Sequence, residues 1–423
     1  MSAAEAFVLG GNRIPFARSH GAYADVPNQE MLTAAIDGLV ARCGLAGERV
    51  GEVAAGAVLK HARDFNLTRE AVLGSALDPA TPAFDVQMAC ATGVETVWNL
   101  TNKIRLGQLD SGIAGGVDTA SDAPIAVSEK LRRALLALGR AKTVKQRLAA
   151  VAALRPADIK PEAPGTGEPR TGLSMGEHQA ITTAGWGITR EAQDELAMNS
   201  HRNLAAAYDR GFFDDLLTGF HGLARDNNLR PDSSMEALAK LKPVFGRSLP
   251  EEATMTAGNS TPLTDGASAV LLGSEEAAEL IGRDPVARIA GRGAHALVPQ
   301  DFGIAPVAAA EQALARAGIG WGEVGAIELN EAFAAQSLAC LDAWEVDPQI
   351  VNARGGAIAI GHPLGASGGR ILGTLAARLR ETGSRWGVAA ICIGVGQGLA
   401  VVLENVAGDE EPRSEENDGK ERA

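Results

Sequence analysis

Two stretches of this chain repeat the same alternation of strand-like and helix-like segments. In the first, apolar runs such as EAFVLGGNRIPF alternate with helically spaced apolar segments such as PNQEMLTAAIDGLVARCGL, which ends at Gly44. In the second, PVARIAGRGAHA, APVAAAEQALARAGIG and VGAIELNEAFAAQSLACLDAW follow in a matching order. Alternating elements of this kind are typical of sheets covered by helices. The sequence therefore predicts an α/β protein that contains a duplicated unit.

An insertion of different amino-acid composition interrupts the first stretch. Residues 122–250 are richer in charge and proline and include the loop PADIKPEAPGTGEPRTG. We therefore predict an N-terminal domain made of residues 1–121 and 251–278, an inserted loop domain at 122–250, and a C-terminal domain at 279–404. Residues 405–423 are polar and mostly acidic, and they are predicted to form a disordered tail.

Charge and cysteine usage exclude several classes of protein. The formal net charge of −13 argues against a nucleic-acid-binding surface over the whole molecule. The four cysteines are far apart and form no CxxC pair, which is typical of a reducing compartment rather than of a disulfide framework or a zinc site. The first residues lack the basic region and apolar core of a signal peptide, and no apolar run is long enough to span a membrane. We expect a cytoplasmic protein.

Four short motifs contain residues suited to nucleophilic and acid–base chemistry. They are MACATG with Cys90, ELNEAFAAQ with Asn330, GGAIAIGHPLGASGGR with His362, and CIGVGQG with Cys392. A cysteine attacks as its thiolate, and a helix N-terminus, where Cys90 is predicted, favours that form. His362, predicted in the first turn of another helix, can take the thiol proton. Taken singly, each of these residues is more often structural, but together they supply a nucleophile, a base and a second acid–base group.

The order of these and further motifs resembles the thiolase family over essentially the whole ordered chain. The further motifs are GGNRIPFARSHGAYADVP, GIAGGVD, MGEH, GITREAQDELA, LAKLKPVF and TAGNSTPLTDGASA. The resemblance implies the thiolase fold, with two duplicated five-layered α-β-α-β-α domains and an inserted loop domain. It also implies cleavage of a 3-ketoacyl-CoA to acetyl-CoA and a shortened acyl-CoA, or the reverse condensation. CoA would be a substrate, with no metal or redox cofactor.

The resemblance also implies roles for individual residues. Cys90 would accept the acyl group, His362 would activate it, and Cys392 would move the α-proton of acetyl-CoA. Asn330 would hold a water that, with His362, polarises the thioester oxygen, and the N–H groups of Cys90 and Gly394 would form a second oxyanion hole. The resemblance implies roles in substrate binding more weakly, and for these residues ordinary packing or solvation is the alternative. Arg230 would pack against the CoA adenine, and Ser174 and Met175 would face the pantetheine tunnel. Thr261 would hydrogen-bond the pantetheine, and Phe302 would line the acyl pocket.

The subfamily and two other functions are left open by the motifs. The middle region resembles the thiolase subunits of trifunctional fatty-acid oxidation complexes, which usually carry histidine in place of Asn330. The C-terminal half resembles stand-alone thiolases, and the family implies a homo-oligomer, a dimer of dimers.

One alternative function is that of a decarboxylating ketoacyl synthase-like enzyme, against which Cys392 argues. The other is a non-catalytic lipid-carrier or scaffold subunit, against which the complete set of four motif residues argues.

Residues 128–160 form a strongly basic segment in a chain whose net charge is negative. Nine basic residues stand there against only Glu129 and Asp158, and leucines and valines recur at near-helical spacing. This pattern predicts one or two basic amphipathic helices. Such helices would dock either on an anionic membrane surface, which would make the protein peripherally membrane-associated, or on a partner enzyme of β-oxidation. Their positive charge would alternatively steer CoA towards its site. The alternative is a solvated helix face.

Overall fold

The computed structural model describes residues 4–152, 154–246, 249 and 252–406. Its strands are β1 (Phe7–Arg13), β2 (Ala17–Arg18), β3 (Glu52–Ala55), β4 (Ala83–Asp85), β5 (Ser111–Asp118), β6 (Ala126–Val127), β7 (Pro161–Glu162), β8 (Thr264–Gly273), β9 (Ala287–Ala296), β10 (Val324–Leu329), β11 (Trp386–Ile393) and β12 (Gln397–Asn405). Its α-helices are α1 (Asn28–Cys43), α2 (Leu67–Gly74), α3 (Thr92–Arg105), α4 (Glu129–Arg140), α5 (Val144–Ala152), α6 (Met175–Trp186), α7 (Arg190–Asp209), α8 (Met235–Ala239), α9 (Glu275–Ile281), α10 (Ala305–Ala317), α11 (Ala334–Trp344), α12 (Ala357–Ile360) and α13 (Ser367–Thr382). None of the helices in these ranges is both long and apolar enough to cross a membrane.

The large sheet consists of two halves with the same topology. Its order is β10-β11-β12-β9-β1-β8-β5-β3-β4, with β2 paired to β8. The series β3-β5-β8-β1 and β10-β11-β12-β9 each begin with a parallel pair and continue with antiparallel pairs. The halves meet where β1 and β9 share only the pairs Phe7–Arg288 and Val8–Ala287. The duplicated α/β unit that the alternation of segments predicts is therefore confirmed.

The helices form three layers around the two half-sheets. Apolar residues of α1 and α2 pack on the outer face of the first half. Those of α3 and α13 lie between the halves, and those of α10 and α11 cover the outer face of the second half. The five layers are thus formed by the two halves together, whereas the sequence predicted five layers in each domain. The reason is that α3 and α13 form a single middle layer, which both half-sheets share.

Two glycines allow α3 and α13 to approach at their N-terminal ends. A Cβ on Gly368 would overlap the backbone of Val94, and a Cβ on Gly93 would stand only 2.8 Å from the backbone N of Gly369. Side chains at these positions would push the helices apart. The close approach matters because the residues that precede the two helices include Cys90 and His362.

The predicted insertion contributes no strand to the large sheet within its described part. It contains β6, β7 and α4 to α8, and α4 and α5 pack against each other as a helical hairpin. Where the sequence predicted one or two basic amphipathic helices over residues 128–160, the structure has two, α4 and α5. The domain boundaries stay a prediction. At the C-terminus, β12 continues to Asn405, whose backbone N–H donates to Arg385 O at 2.8 Å, so the predicted tail does not begin at 405. The remainder of that tail, residues 407–423, lies outside the described residues.

Candidate active site

Cys90 lies in a tight turn between β4 and α3. The predicted strand does not run up to Cys90 but ends at Asp85, and Ala89 in the following turn adopts a left-handed conformation with φ of 44°. The Thr92 hydroxyl stabilises the turn by donating to Ala89 O at 2.8 Å and accepting from the Met88 N–H at 2.9 Å. Cys90 is therefore held just before the first residue of α3, close to the helix N-terminus at which it was predicted.

A second turn, in the β11–β12 hairpin, presents Gly394 to the Cys90 sulfur. Val395 and Gly396 have φ of 70° and 86°, which reverses the chain within three residues. The backbone N–H groups of Gly394 and of Cys90 itself act on the sulfur and lower the pKa of the thiol. Burial nevertheless raises the pKa of the Cys90 thiol to about 11, and the nearby Asp118 carboxylate adds to the increase. The Cys90 thiol is therefore protonated at neutral pH.

His362 lies in the loop between α12 and α13 rather than in the predicted first helical turn. Gly361 has φ of 113°, and α13 begins only at Ser367. The loop between them is anchored across the molecule, because the Gly365 N–H donates to Asp118 Oδ2 at 2.6 Å. Asp118 ends β5 of the first half-sheet, and it also accepts from the backbone of Val58 at 3.0 Å. A tertiary contact therefore places the imidazole where the local sequence predicted a helix.

The hydrogen bonds of His362 define its tautomer. Its Nδ1 is 2.5 Å from Ser367 Oγ, and the single Ser367 hydroxyl proton is donated to Pro363 O at 2.9 Å. Nδ1 must therefore carry the proton that it donates to Ser367, which leaves a lone pair on Nε2. Nε2 is buried and has no partner among the described residues. Burial, together with the Arg370 guanidinium, lowers the pKa of His362 to about 3, so the imidazole is neutral and can accept a proton.

Asn330 follows β10 and has its amide oriented by Arg370. Arg370 Nη2 donates to Asn330 Oδ1 at 3.0 Å, which identifies that atom as the oxygen. The amide nitrogen, Nδ2, is buried without a partner within the described chain. It is therefore free to donate to a water or to a substrate oxygen.

Glu331 joins the Asn330 segment to the segment that carries His362. Its buried carboxylate accepts from Ser200 Oγ at 2.7 Å, from Asn352 Nδ2 at 2.8 Å and from the Ile358 N–H at 3.1 Å. A Cβ on Gly356 would overlap this carboxylate. Burial raises the pKa of Glu331. The network fixes the first turn of α12, the helix that ends immediately before Gly361 and His362.

Sequence reasoning missed most of these supporting residues. Ser367 and Arg370 lie within the quoted motif GGAIAIGHPLGASGGR, so their proximity to His362 was a usable signal. Asp118 ends the quoted motif GIAGGVD, but its bond to Gly365 joins residues far apart in sequence. Ser200 and Asn352 lie outside the quoted motifs, and no local pattern identifies them.

Cys392 lies at the end of β11 against an apolar cluster. The cluster contains Met255, Phe302 and Phe333, with Met175 and Phe245 packed against it. Burial raises the pKa of Cys392 well above its ordinary value, and the proximity of Cys90 and Cys340 raises it further. Cys392 is thus a protonated thiol near Cys90, and it packs against apolar side chains.

Cys340 and Cys43 are buried core thiols. Cys340 is buried on α11, where its thiol is 3.4 Å from Gly303 O, and burial raises its pKa to about 12. Cys43 ends α1 and belongs to the core of the first half.

A groove of about 660 Å³ leads to the apolar cluster and is lined by Arg230, Thr261 and Phe245. The Thr261 hydroxyl donates to Ala357 O at 2.8 Å, which leaves its lone pairs available to a ligand N–H. The Met175 sulfur lies 3.2 Å from the position of a Cβ on Gly394, next to the Cys90 turn. The Ser174 hydroxyl instead caps α6 by accepting from the Glu177 N–H at 3.2 Å, and Ser174 is not among the groove residues.

The fold and the site together define a cysteine-dependent acyl-transfer enzyme. The family model described as "Thiolase, N-terminal domain" matches residues 6–276, and the model described as "Thiolase, C-terminal domain" matches residues 283–405. The chain therefore belongs to the thiolase family.

Several known proteins resemble the chain over nearly its whole length. It is 38% identical to the 3-ketoacyl-CoA thiolase of Pectobacterium carotovorum subsp. carotovorum (strain PC1), with 94% of this chain and 95% of the relative covered. The structure of human mitochondrial 3-ketoacyl-CoA thiolase in complex with CoA matches with a TM-score of 0.84 at 30% identity, covering 96% of this chain and 98% of the human one. The acetyl-CoA acetyltransferase of Bacillus anthracis matches with the same TM-score at 28% identity, covering 96% and 100%.

The raised pKa of Cys90 predicts a steep dependence of its reactivity on pH. Below the pKa of about 11, the thiolate fraction increases about tenfold per pH unit, and neutral His362 provides no ion pair at rest. The rate of Cys90 alkylation by iodoacetamide should therefore rise continuously from pH 6.5 to 9.5. The measurement is a time course by peptide mass spectrometry. A plateau reached near pH 7 would show instead a stable thiolate–imidazolium pair.

Proposed function

We propose that this chain catalyses the CoA-dependent cleavage of 3-ketoacyl-CoA to acetyl-CoA and a shortened acyl-CoA. The observation that carries the proposal is the close approach of the Cys90 and His362 segments, where a Cβ on Gly93 would stand only 2.9 Å from Gly365 O. The N–H groups of Gly394 and Cys90 favour the Cys90 thiolate, and His362 supplies a neutral imidazole in the required tautomer. A second thiol, Cys392, lies near Cys90. No metal or redox cofactor enters the proposed reaction, and CoA is a substrate.

In the first half-reaction, His362 Nε2 takes the Cys90 proton as the sulfur attacks the 3-keto carbon. The N–H groups of Cys90 and Gly394 stabilise the oxyanion, which on collapse breaks the C2–C3 bond. The released electron pair forms an enolate whose thioester oxygen is stabilised through Asn330 Nδ2 and His362. The Cys392 thiol protonates the α-carbon, which gives acetyl-CoA and leaves a Cys392 thiolate.

In the second half-reaction, a CoA thiol enters the groove and gives its proton to the Cys392 thiolate. The CoA sulfur attacks the acyl-Cys90 thioester, and the same two N–H groups stabilise the second tetrahedral oxyanion. Its collapse releases the shortened acyl-CoA. Cys90 regains its proton from His362, so every group returns to its starting state.

The groove is the proposed binding site for CoA. Arg230 would stack on the adenine, Thr261 would accept from a pantetheine amide, Met175 would lie beside the thioester, and Phe302 would bound the acyl chain. The structure of the human homologue in complex with CoA supports a CoA ligand. For Ser174, the cap of α6 is a sufficient explanation, and no role in the tunnel is proposed for it.

Steady-state thiolysis of a chain-length series of 3-ketoacyl-CoAs tests the proposed function. We expect CoA-dependent loss of the ketoacyl absorbance for at least one chain length and formation of acetyl-CoA in equal amount. Turnover that instead requires malonyl-CoA would favour a decarboxylating condensing enzyme. Inactivity towards all chain lengths would favour a carrier or scaffold.

We also propose a homodimer that forms through β4 and pairs into a tetramer. The strand β4 is the last of the large sheet, and no other strand among the described residues pairs with its outer edge, so a second copy can pair there. It also leads directly into the Cys90 turn, which such a contact would support. Light scattering at micromolar concentration should give the mass of a dimer or tetramer, and a monomer would refute this proposal.

The α4–α5 hairpin is the proposed contact with an anionic membrane surface. Ala134 is the buried residue of α4, and α5 has none. Leu135, Val144 and Leu148 are 51%, 73% and 66% exposed. Exposed apolar side chains next to basic ones on short helices suit binding in the interface of an anionic bilayer. The positive charge is notable because the whole chain carries −13.

Charge reversal on the hairpin should abolish vesicle binding without affecting catalysis. We expect a variant with Arg132, Arg133, Lys145 and Arg147 changed to Glu to stay in the supernatant with phosphatidylglycerol vesicles, while the wild type co-sediments. A control with four exposed basic residues elsewhere changed to Glu has the same net charge and should still bind; these are Arg49, Arg210, Lys240 and Arg316. Equal sedimentation of the two variants would refute docking. A raised KM for CoA that high salt relieves would indicate steering instead.

A further inference from the structure

A second cleft, of about 500 Å³, opens at the seam between the two half-sheets. The pairing of β1 with β9 is limited to Phe7 and Val8, and beyond it Gly10 and Gly11 of β1 face towards α1 and α13. The cleft shares no lining residue with the proposed CoA groove. We call it the seam cleft, and its volume lies within the range of small-molecule sites.

Three arginines converge on the seam cleft: Arg42, Arg283 and Arg380. Of the two carboxylates that also line it, Glu381 is paired with Arg354 at 2.6 Å, which leaves Asp215. The side chains of Arg283 and Arg380 make no hydrogen bond or ion pair with any residue that the structure describes. The cleft is therefore a positive site with unused donors in a strongly negative chain.

Arg42 provides a buried hydrogen-bond donor in the seam cleft. Its Nη2 donates to Leu217 O, but its Nη1 is buried and has no partner among the described residues. An unpaired guanidinium N–H away from water is costly, and a ligand oxygen would relieve that cost.

The rest of the lining is apolar and includes Val8, Leu39, Leu216 and Val286. Gly10 forms part of the floor, where a Cβ would stand 3.4 Å from Cys43 Sγ and 3.9 Å from Arg283 Nη2. The missing side chain leaves space between the thiol and the guanidinium. A bare inorganic anion would use the arginines but would leave these apolar walls uncovered.

We propose that the seam cleft binds an amphipathic carboxylate, a free fatty acid. The carboxylate is held by Arg283 and Arg42, because a guanidinium pairs with a carboxylate through two parallel N–H bonds. The alkyl chain lies on the apolar walls between β1, α1 and α13. This site is separate from the acyl pocket beside Cys392, and the inference does not depend on the proposed reaction.

Equilibrium dialysis of radiolabelled dodecanoate against the full chain tests this proposal. We expect one site per chain whose affinity falls at least tenfold in the double variant Arg42→Gln and Arg283→Gln. The matched control, Arg230→Gln in the CoA groove, should bind as the wild type does. Gly10→Ala, which adds one methyl group to the floor, should weaken binding without removing a charge. Unchanged binding in the double variant, loss only in Arg230→Gln, or equal competition by inorganic phosphate would each overturn the proposal.

Protection of cysteines locates the bound dodecanoate. Cys43 lies in the seam cleft and is 5% exposed, so a small thiol reagent such as methyl methanethiosulfonate should label it slowly. Dodecanoate should slow the labelling of Cys43 at least fivefold and leave that of Cys90 unchanged. Protection of Cys90 alone would move the ligand to the active site and overturn the proposal. If Cys43 does not react, the dialysis variants decide the question.

Discussion

Replacing Cys90 with serine should reduce thiolysis by a factor on the order of 10³ or more and abolish the covalent acyl adduct. A serine hydroxyl is far less acidic than a thiol, and His362, with a pKa lowered to about 3, is too weak a base to activate it. The fixed backbone donors at this position would remain, so the loss would be chemical rather than structural. The two measurements are steady-state thiolysis and mass spectrometry of the intact protein after incubation with acetyl-CoA.

The matched control for this variant is Cys43→Ser, which changes a thiol in the core of the first half. It should keep the acetyl adduct and most of the activity. Peptide mapping of the wild type should place the acetyl group on Cys90. An adduct on Cys392 instead would reverse the roles that we propose for the two cysteines, and full activity of Cys90→Ser would exclude a thioester intermediate on Cys90.

Replacing Cys392 with alanine should separate the two half-reactions. Acylation of Cys90 by acetyl-CoA should survive, because the leaving CoA thiolate is stable without a proton donor. Formation of a carbon–carbon bond should be lost, since the α-proton of acetyl-CoA is much less acidic and needs a base beside the bound thioester. We expect an unchanged amplitude of acetyl labelling, with condensation and thiolysis reduced by a factor on the order of 10² to 10⁴.

The neighbouring thiol offers a control for packing. Cys340→Ala removes a buried sulfur close to Cys392 but leaves the proposed acid–base group in place. It should retain both half-reactions. If Cys392→Ala and Cys340→Ala lose labelling and condensation to the same extent, Cys392 supports the packing of the site instead of the enolate chemistry.

The sequence by itself determined the fold class and the motif residues. Periodic apolar segments and glycine stops define most helices and strands, because these signals act within a few residues. Gly44, for example, ends α1 with φ of 69°, and the Thr189 hydroxyl caps α7 by accepting from the Ala192 N–H at 3.2 Å. The order of the elements also revealed the duplication, and the motifs supplied Cys90, Asn330, His362 and Cys392 as candidates.

Only the tertiary structure decided how those candidates are held. The position of His362 outside α13 depends on the bond between Gly365 and Asp118, which are 247 residues apart in sequence. Its tautomer depends on Ser367, and the direction of the Asn330 amide depends on Arg370, 40 residues away. The shared middle layer likewise requires α3 and α13, from different halves, to meet at glycines. Local sequence patterns encode backbone propensity over a few residues, whereas proton positions, pKa values and layer order arise from contacts that form only when distant segments are packed together.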